Sequence, residues 1–448
     1  MNDHFASLFH GKRLLKQELH LDEPTFQYLI NQNLLTEIPG IHQHQCQRCF
    51  NQGRKYFGKL PSGHIYCRKC INMGRVSECE PLYQWNGPAP VYEQVQNPCV
   101  WGGDLTPLQE HASNELVNQI KLNGSLLIHA VCGAGKTEML YEGISYAASH
   151  SMKLCIATPR ADVVRELAPR LRKDFPNVKS AALYGGSSEV DEQAQLVIAT
   201  THQLLRYDCA FDVMIVDEVD AFPYHKDPAL PKAVKRAVKE KHTLIYLTAT
   251  PRTNLKLKSK LNLIPTVSIP MRFHGHPLPV PSFQYNKKIE KQILEGTLPN
   301  QIEKWINDRG NRRYLLFTPT VEMAKQLSTL LNHTPYVYAE HPDREDLVKQ
   351  FRYNKFQALI TTTILERGVT FPSIDVAVIQ ADHDVFDEAA LVQIAGRAGR
   401  SANDPNGNVT FFAEVKTNAM VRSKHYSLVM NHKAKKWKEQ EHALPHLL

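Results

Sequence analysis

Beyond Asp104 the chain alternates two textures. SLLIHAV, KLCIAT, AQLVIAT, FDVMIVD and HTLIYLTAT are apolar at nearly every position, as strands buried on both faces are. Between them, ELVNQIKL, VVRELAPRLRK and LPKAVKRAVKEK carry apolar residues at helical spacing. Strands that hide both faces and alternate with helices build a parallel sheet wrapped by helices. The Pro-rich stretch 269–285 interrupts the alternation and predicts a hinge. RRYLLFTPT, QALITTT, IDVAVIQA and GNVTFFAEV then resume it as a second domain of the same kind. The first hundred residues differ: they are polar, helical near LLKQELH, and carry two close cysteine pairs. The expected fold class is α/β, with two tandem parallel-sheet domains at 104–268 and 286–448. Ahead of them come an N-terminal helical segment (1–40), a cysteine module (41–80) and a Pro- and Gly-containing linker (81–103).

Length and charge refine this picture only slightly. The 448 residues suit about three domains of roughly 100–200 residues each. With 42% hydrophobic and 22% charged residues the chain is a folded globular protein. A net charge of +8 suits a polyanion partner, although ordinary solubility accounts for so small an excess equally well. The first twenty residues are interrupted by charge and offer no signal-peptide core. No stretch approaches the roughly 20 apolar residues of a membrane span, so the expected location is the cytosol, or the inner membrane face through a partner. Nine unevenly placed cysteines argue against a disulfide framework and for one metal site.

The candidate chemistry begins at Ala130-Val-Cys-Gly-Ala-Gly-Lys-Thr137, between the run SLLIH and the helical EMLYEGISYAA. A glycine-built turn from strand into helix lets successive backbone N–H groups wrap a phosphate chain at the positive end of a helix. Gly133, Ala134 and Gly135 would form the wrap, Lys136 would bring charge to the outer phosphates of ATP, and Thr137 would offer a hydroxyl to Mg²⁺. A plain Gly-rich turn is the competing reading, and the Lys-Thr pair in this strand–turn–helix context speaks against it. About eighty residues on, FDVMIVD ends in Asp217-Glu218-Val219-Asp220. Asp217 at the end of a buried strand could hold Mg²⁺, and Glu218 could orient and deprotonate the attacking water.

With these two elements the sequence resembles the superfamily 2 helicases, because further family motifs follow in order across roughly 104–415. The resemblance implies RecA-like domains and an adenine-reading Gln109 in Leu105-Thr-Pro-Leu-Gln109. It implies contact with a nucleic-acid backbone at Thr158 and Arg160 (Thr158-Pro-Arg160) and at Thr201 (Ala199-Thr-Thr-His-Gln203). Leu247-Thr-Ala-Thr-Pro251 corresponds to the element that couples hydrolysis to movement. In the second domain Thr318 (Phe317-Thr-Pro-Thr320) and Thr362 (Thr361 to Gly368) would grip the same strand, while Gly368 and Gln393 would line the nucleotide. In Gln393-Ile-Ala-Gly-Arg-Ala-Gly-Arg400, glycines beside Arg397 and Arg400 permit close approach. A guanidinium brought to the transferred phosphoryl group raises its rate by about 10³–10⁵. Val219 and Ile394 depart from the RNA-directed DEAD-box pattern and move the resemblance toward DNA-directed members such as the primosomal helicase PriA.

Cys46-Gln-Arg-Cys49 and Cys67-Arg-Lys-Cys70 have the spacing of one tetrahedral Cys₄ zinc site. A redox pair is the alternative, but redox CxxC turns come singly. His42, His44 and His64 are read as bystanders, and the basic and aromatic residues around the knuckles suit either nucleic-acid contact or a solvated ribbon face. The basic runs 232–241 and 433–438 are read as solvated helix faces.

A single Cys₄ module ahead of a compact two-domain motor is similar, over nearly the whole chain, to the ComFA competence proteins of Gram-positive bacteria. That resemblance implies a single-stranded DNA translocase, driven by ATP, beside the membrane DNA-uptake channel, with ComFC as partner. Self-association and direction of travel stay open. Two other classes compete: a replication or repair helicase like PriA, and an adaptor whose ATP site only switches conformation. Glu218, Arg397 and Arg400 favour turnover over a switch.

Overall fold

In a computed structural model, residues 2–368 and 371–443 are described. They form two compact units. The first comprises Met1–Ile128, Thr137–Thr248 and Thr253–Val267; the second comprises His129–Lys136, Ala249–Arg252 and Ser268–Leu448.

The chain carries two large RecA-like sheets. The seven-stranded one runs Ser180–Leu183, Leu196–Thr200, Leu154–Thr158, Phe211–Val216, Val238–Thr248, Ser125–Ala130, Thr266–Ile269. Strands Leu154–Thr158 and Leu196–Thr200 are buried at every position and pair in parallel, as their unbroken apolar runs require. The six-stranded sheet runs Ser282–Tyr285, Val409–Ala413, Ile374–Val378, Arg313–Phe317, Ala358–Thr361, Tyr336–Val337, with every neighbouring pair parallel. Ser282–Tyr285 is thus an edge strand drawn from the Pro-rich stretch between the sheets. The helical spacing of 230–241 holds only to Ala237: Val238 is taken up by pairing with Phe211, and a strand of eleven residues continues from it to Thr248. Pairing overrides the local period there.

The N-terminal region is a small α+β unit. Strands Arg13–Leu15, Leu82–Trp85 and Leu35–Ile38 pair antiparallel, with Leu82–Trp85 in the centre, so the start of 81–103 is sheet. Phe5, Phe9, Phe26, Leu29 and Trp85 fill its own small core. The cysteine segment is inserted between its strands as two short hairpins, Ile41–His42 with Gln45–Cys46 and Phe57–Lys59 with Ile65–Cys67. Its far side joins a different core: Leu15, Val76, Leu82 and the four cysteines cluster with Cys155, Leu205, Tyr207, Phe211 and Leu230 of the first sheet domain. No described helix is long and apolar enough to cross a membrane.

Candidate ATP site, nucleic-acid edge and metal centre

The phosphate loop leaves the strand Ser125–Ala130 and is shaped by Gly133 (φ +79°) and Gly135 (φ +69°). Left-handed glycines of this kind turn successive N–H groups to one side, making an anion-binding concavity. Lys136 and Thr137 are half-buried, and the chain continues as a 3₁₀ turn, Glu138–Leu140, into the helix Tyr141–Ser149.

Within the second unit the loop meets the turn that bears the two arginines. The helix Glu388–Ala395 is capped by Asp387, which accepts from the Ala390 N–H and pairs with Arg252 at 2.8 Å. The helix carries Gln393 to the loop, where the Cys132 thiol donates to Gln393 Oε1 at 3.0 Å. Gly396 follows, and a Cβ there would stand 2.4 Å from the Cβ of Cys132, so only glycine permits this approach. Gly399 has φ +61° and lies against the Pro405 carbonyl, where a side chain would collide. Arg397 is buried and its Nε donates to the Glu366 carbonyl at 3.0 Å; Arg400 Nε donates to the Gly396 carbonyl at 2.8 Å. Gly368 has φ +73°. Gly133, Gln393, Arg397 and Arg400 thus fall in one unit with Lys136.

Sequence reading gave Arg272 no role. It is 1% exposed, and its Nη1 donates to the Gly399 carbonyl. Burial, partly offset by Cys132 and reinforced by Arg400, draws its guanidinium down to about 10. It lies in the Pro-rich stretch 269–285, where no motif marks it.

In the first unit Asp217 and Glu218 stand at the end of the strand Phe211–Val216. The Asp217 N–H donates to the Ala157 carbonyl at 2.8 Å, and the Glu218 N–H to Asp217 Oδ1 at 2.8 Å. Glu218 has φ +55°, a strained backbone for glutamate, costing about 1–3 kcal/mol of the kind found at functional sites. Two residues on, fully buried Asp220 accepts from the Thr248 hydroxyl at 2.6 Å, joining the acidic motif to Leu247-Thr-Ala-Thr-Pro251. Gln109 is buried at the start of the helix Pro107–Leu122, where its Oε1 accepts from the Thr106 N–H at 2.8 Å.

The five residues expected at the nucleic acid lie at strand ends of the two sheets. Thr201 N–H donates to the Thr158 carbonyl at 2.9 Å, and Arg160 stands at the residue just ahead of the helix Ala161–Asp174, with no side-chain capping bond. The hydroxyls of Thr158 and Thr201 are buried and have no partner among the described residues. In the second unit Thr318 N–H donates to the Thr361 carbonyl at 2.8 Å and Thr362 N–H to Val337 at 3.4 Å. Carboxyl ends of parallel strands are where open α/β sheets bind ligands.

The four cysteine sulfurs lie within 4.8 Å of one another, all buried. The pairs Cys46–Cys70 and Cys49–Cys67 stand at 3.7 and 3.5 Å. Tetrahedral zinc with bonds of about 2.3 Å separates its sulfurs by about 3.8 Å, so the cage fits the ion. His42, His44 and His64 lie outside the cluster. Arg48, between the first two cysteines, is fully buried and pairs with Glu18. Glu18 also receives Arg206 Nε at 2.7 Å. Arg236 breaks the expectation that 232–241 is a solvated face: it is sunk among carbonyls, donating to Gln47, Arg48, Leu205 and Tyr207. Its helix brings it there because the cysteine knuckle covers that face of the first sheet domain.

Three family matches divide the chain. Residues 1–84 match the competence protein ComFA N-terminal domain, 103–253 the type III restriction enzyme res subunit, and 297–402 the helicase conserved C-terminal domain. The chain is 41% identical over 440 residues to the competence protein ComFA of Bacillus subtilis (strain 168), covering 95% of each chain. It is 38% identical to that of Streptococcus pneumoniae (strain ATCC BAA-255 / R6), covering 92% of this chain and 93% of the relative. Among solved structures its fold is similar to Mss116p bound to ssRNA and AMP-PNP (TM-score 0.54, 18% identity, 69% of each chain). It is also similar to S. cerevisiae Dbp5 bound to RNA and ADP BeF3 (TM-score 0.52, 14% identity, 76% of this chain and 97% of that one).

Proposed function

The chain belongs to the ComFA family of competence proteins and is an ATP-hydrolysing enzyme of helicase type, and from that premise we propose that it is a motor that moves along single-stranded DNA to drive DNA import. The observation that carries the motor reading is the convergence of the phosphate loop, Gln393, Arg397 and Arg400 in one unit. Arginines held on a turn against a phosphate loop suit stabilisation of the charge that develops on the transferred phosphoryl group.

In this reading the loop N–H groups and Lys136 hold the phosphates of ATP. Thr137 and Asp217 hold Mg²⁺, which neutralises phosphate charge. Glu218 accepts the proton of the attacking water, and Gln109, Gly368 and Gln393 line the nucleotide. Thr158, Arg160, Thr201, Thr318 and Thr362 hold the phosphates of one strand. The buried hydroxyls of Thr158 and Thr201, which lack protein acceptors among the described residues, support that assignment. The Asp220–Thr248 bond is suited to passing a change at the acidic motif to the next strand end. Zinc in the Cys₄ cage is structural, since four thiolates leave no open position. The motor works in the cytosol beside the membrane uptake channel, with ComFC as partner, alone or as an oligomer.

The test is ATP turnover of the full chain with single-stranded DNA, duplex DNA and single-stranded RNA, together with removal of a protein block from one end of a long strand. Single-stranded DNA should raise turnover most and the block should be displaced. Glu218→Gln should lower turnover by about 10²–10⁴-fold, and Lys136→Ala should abolish it, with DNA binding retained in both. Absence of both DNA stimulation and block displacement would leave the ATP-switched adaptor as the reading.

A further inference from the structure

Two buried side chains beside the phosphate loop carry donors that have no acceptor among the described residues. Arg272 is 1% exposed, and of its guanidinium only Nη1 has an acceptor, the carbonyl of Gly399; Nε and Nη2 have none among the described residues. Gln393, 3% exposed, accepts from Cys132 through Oε1 while its Nε2 has no partner among the described residues. Leaving such groups unpaired is costly, more so for a charge, and folded proteins rarely tolerate it.

Arg272 cannot easily swing away to find water. The Val131 N–H donates to the Ile269 carbonyl at 3.1 Å and the Phe273 N–H to the Gly133 carbonyl at 2.9 Å, so the segment runs along the loop and is tied to it on both sides of Arg272. The Arg272 stem crosses the bare face of Gly133: a Cβ there would lie 3.7 Å from its Cγ and Cδ. Asn431 fixes the segment further on, exchanging hydrogen bonds with the backbone of Leu278 at 2.7 and 2.9 Å. A cation held over an anion-binding loop, short of acceptors, is matched by an anion with several oxygens.

We propose that Arg272 is a further phosphate-contacting residue of the ATP site, reading the terminal phosphate with Nε and Nη2 and carrying that contact directly into the segment between the two sheets. The inference rests on the loop 130–137 being the ATP site. The terminal phosphate is chosen because the one protein partner of Arg272 is the carbonyl preceding Arg400, on the turn whose arginines suit the transferred group. Nucleotide occupancy would thereby be sensed by the segment itself, independently of Arg397 and Arg400.

The experiment uses the full-length protein and its Arg272→Met, Arg272→Lys and Lys136→Ala variants. It measures thermal unfolding without nucleotide and binding of fluorescent ADP and of AMP-PNP with Mg²⁺. Replacing an underpaired buried charge by methionine should leave unfolding without nucleotide unchanged or shift it upward. Triphosphate affinity should fall roughly 10- to 100-fold, the range of a lost charge-assisted hydrogen bond or two, with ADP affinity much less affected. Arg272→Lys, which keeps the charge without the fork, should fall between wild type and Arg272→Met. A wild-type triphosphate affinity in Arg272→Met overturns the proposal, as does an equal loss for ADP and triphosphate. Should Arg272→Met fail to fold, Arg272→Lys decides alone: selective triphosphate loss supports the proposal and wild-type binding overturns it. If Lys136→Ala binds both nucleotides normally, the loop is not the ATP site and the parent reading fails; if Lys136→Ala loses them and Arg272→Met does not, only this inference fails.

Discussion

Arg48 in the cysteine knuckle and Arg272 at the phosphate loop are both among the largest fully buried side chains, yet their surroundings differ in kind. Arg48 meets a carboxylate, Glu18, and donates to the Met73 carbonyl at 2.9 Å. Glu18 in turn accepts from the Leu15 N–H at 2.8 Å and from Arg206. The fold itself supplies acceptors to both Nη groups of Arg48 and leaves only its Nε without a partner among the described residues. Arg272 has one carbonyl. A buried arginine supplied with acceptors by its own chain is a rivet, whereas one left short beside an anion-shaped loop is completed by a ligand. Burial alone separates neither case, and the count of acceptors does.

The strongest way to break the rivet side of this contrast is to dismantle the cysteine cage. Cys67→Ser combined with Cys70→Ser should abolish zinc content, and structural zinc contributes about 10–16 kcal/mol to folding in small modules. Because the cysteines share a core with Leu205, Tyr207 and Phe211, proteolysis mapped by mass spectrometry should reach beyond residue 85 into the first sheet domain. Protection there equal to wild type would mean that the shared core does not transmit the loss.

A smaller effect is expected when only the rivet is cut. Arg48→Met leaves the half-buried Glu18 with Arg206 as its remaining charged partner; stranding one member of a fully buried pair costs about 3–5 kcal/mol, and the loss here should be smaller. Its melting temperature without nucleotide should drop clearly, whereas Arg272→Met should not lower it. Equal drops in both variants would erase the distinction.

The smallest effect is on pH dependence. Burial pushes the Glu18 carboxyl up, but Arg48 and then Arg206 pull it further down, leaving it below the ordinary value of 4.5. A carboxylate depressed on folding stabilises fully above its unfolded value, and this contribution fades as pH falls through the lower, folded one. Unfolding curves between neutral pH and pH 3 should therefore lose stability below about 4.5, with a shallower loss in Arg48→Met.

What the sequence made legible was whatever is contiguous. The loop ending in Lys136-Thr137, the strand ending in Asp217-Glu218, the turn with Arg397 and Arg400 and the two cysteine pairs each announce themselves within a few residues, since their chemistry depends on local backbone geometry. The central strands were legible for the same reason, being apolar throughout. Arg236, Asp220 with Thr248, and Arg272 were not, because what defines each is a partner 28 to 189 positions away. The two-residue strand Tyr336–Val337 escaped for want of length, and the extension of the strand back to Val238 escaped because pairing with Phe211 overrode a helical period.

The core shared by the cysteine knuckle and the first sheet domain bears on how such a chain can be inherited. A recombination junction near residue 85 would separate Leu15, Val76 and Leu82 from Tyr207 and Phe211, and each product would present a greasy scar to water. Grafting the knuckle onto another helicase-type domain requires a recipient that already carries the equivalents of Arg206 and Arg236, which the knuckle's own segment of the chain cannot bring. The two parts are therefore expected to drift in step, substitutions on one face answered on the other, and to be lost or kept as a single heritable block.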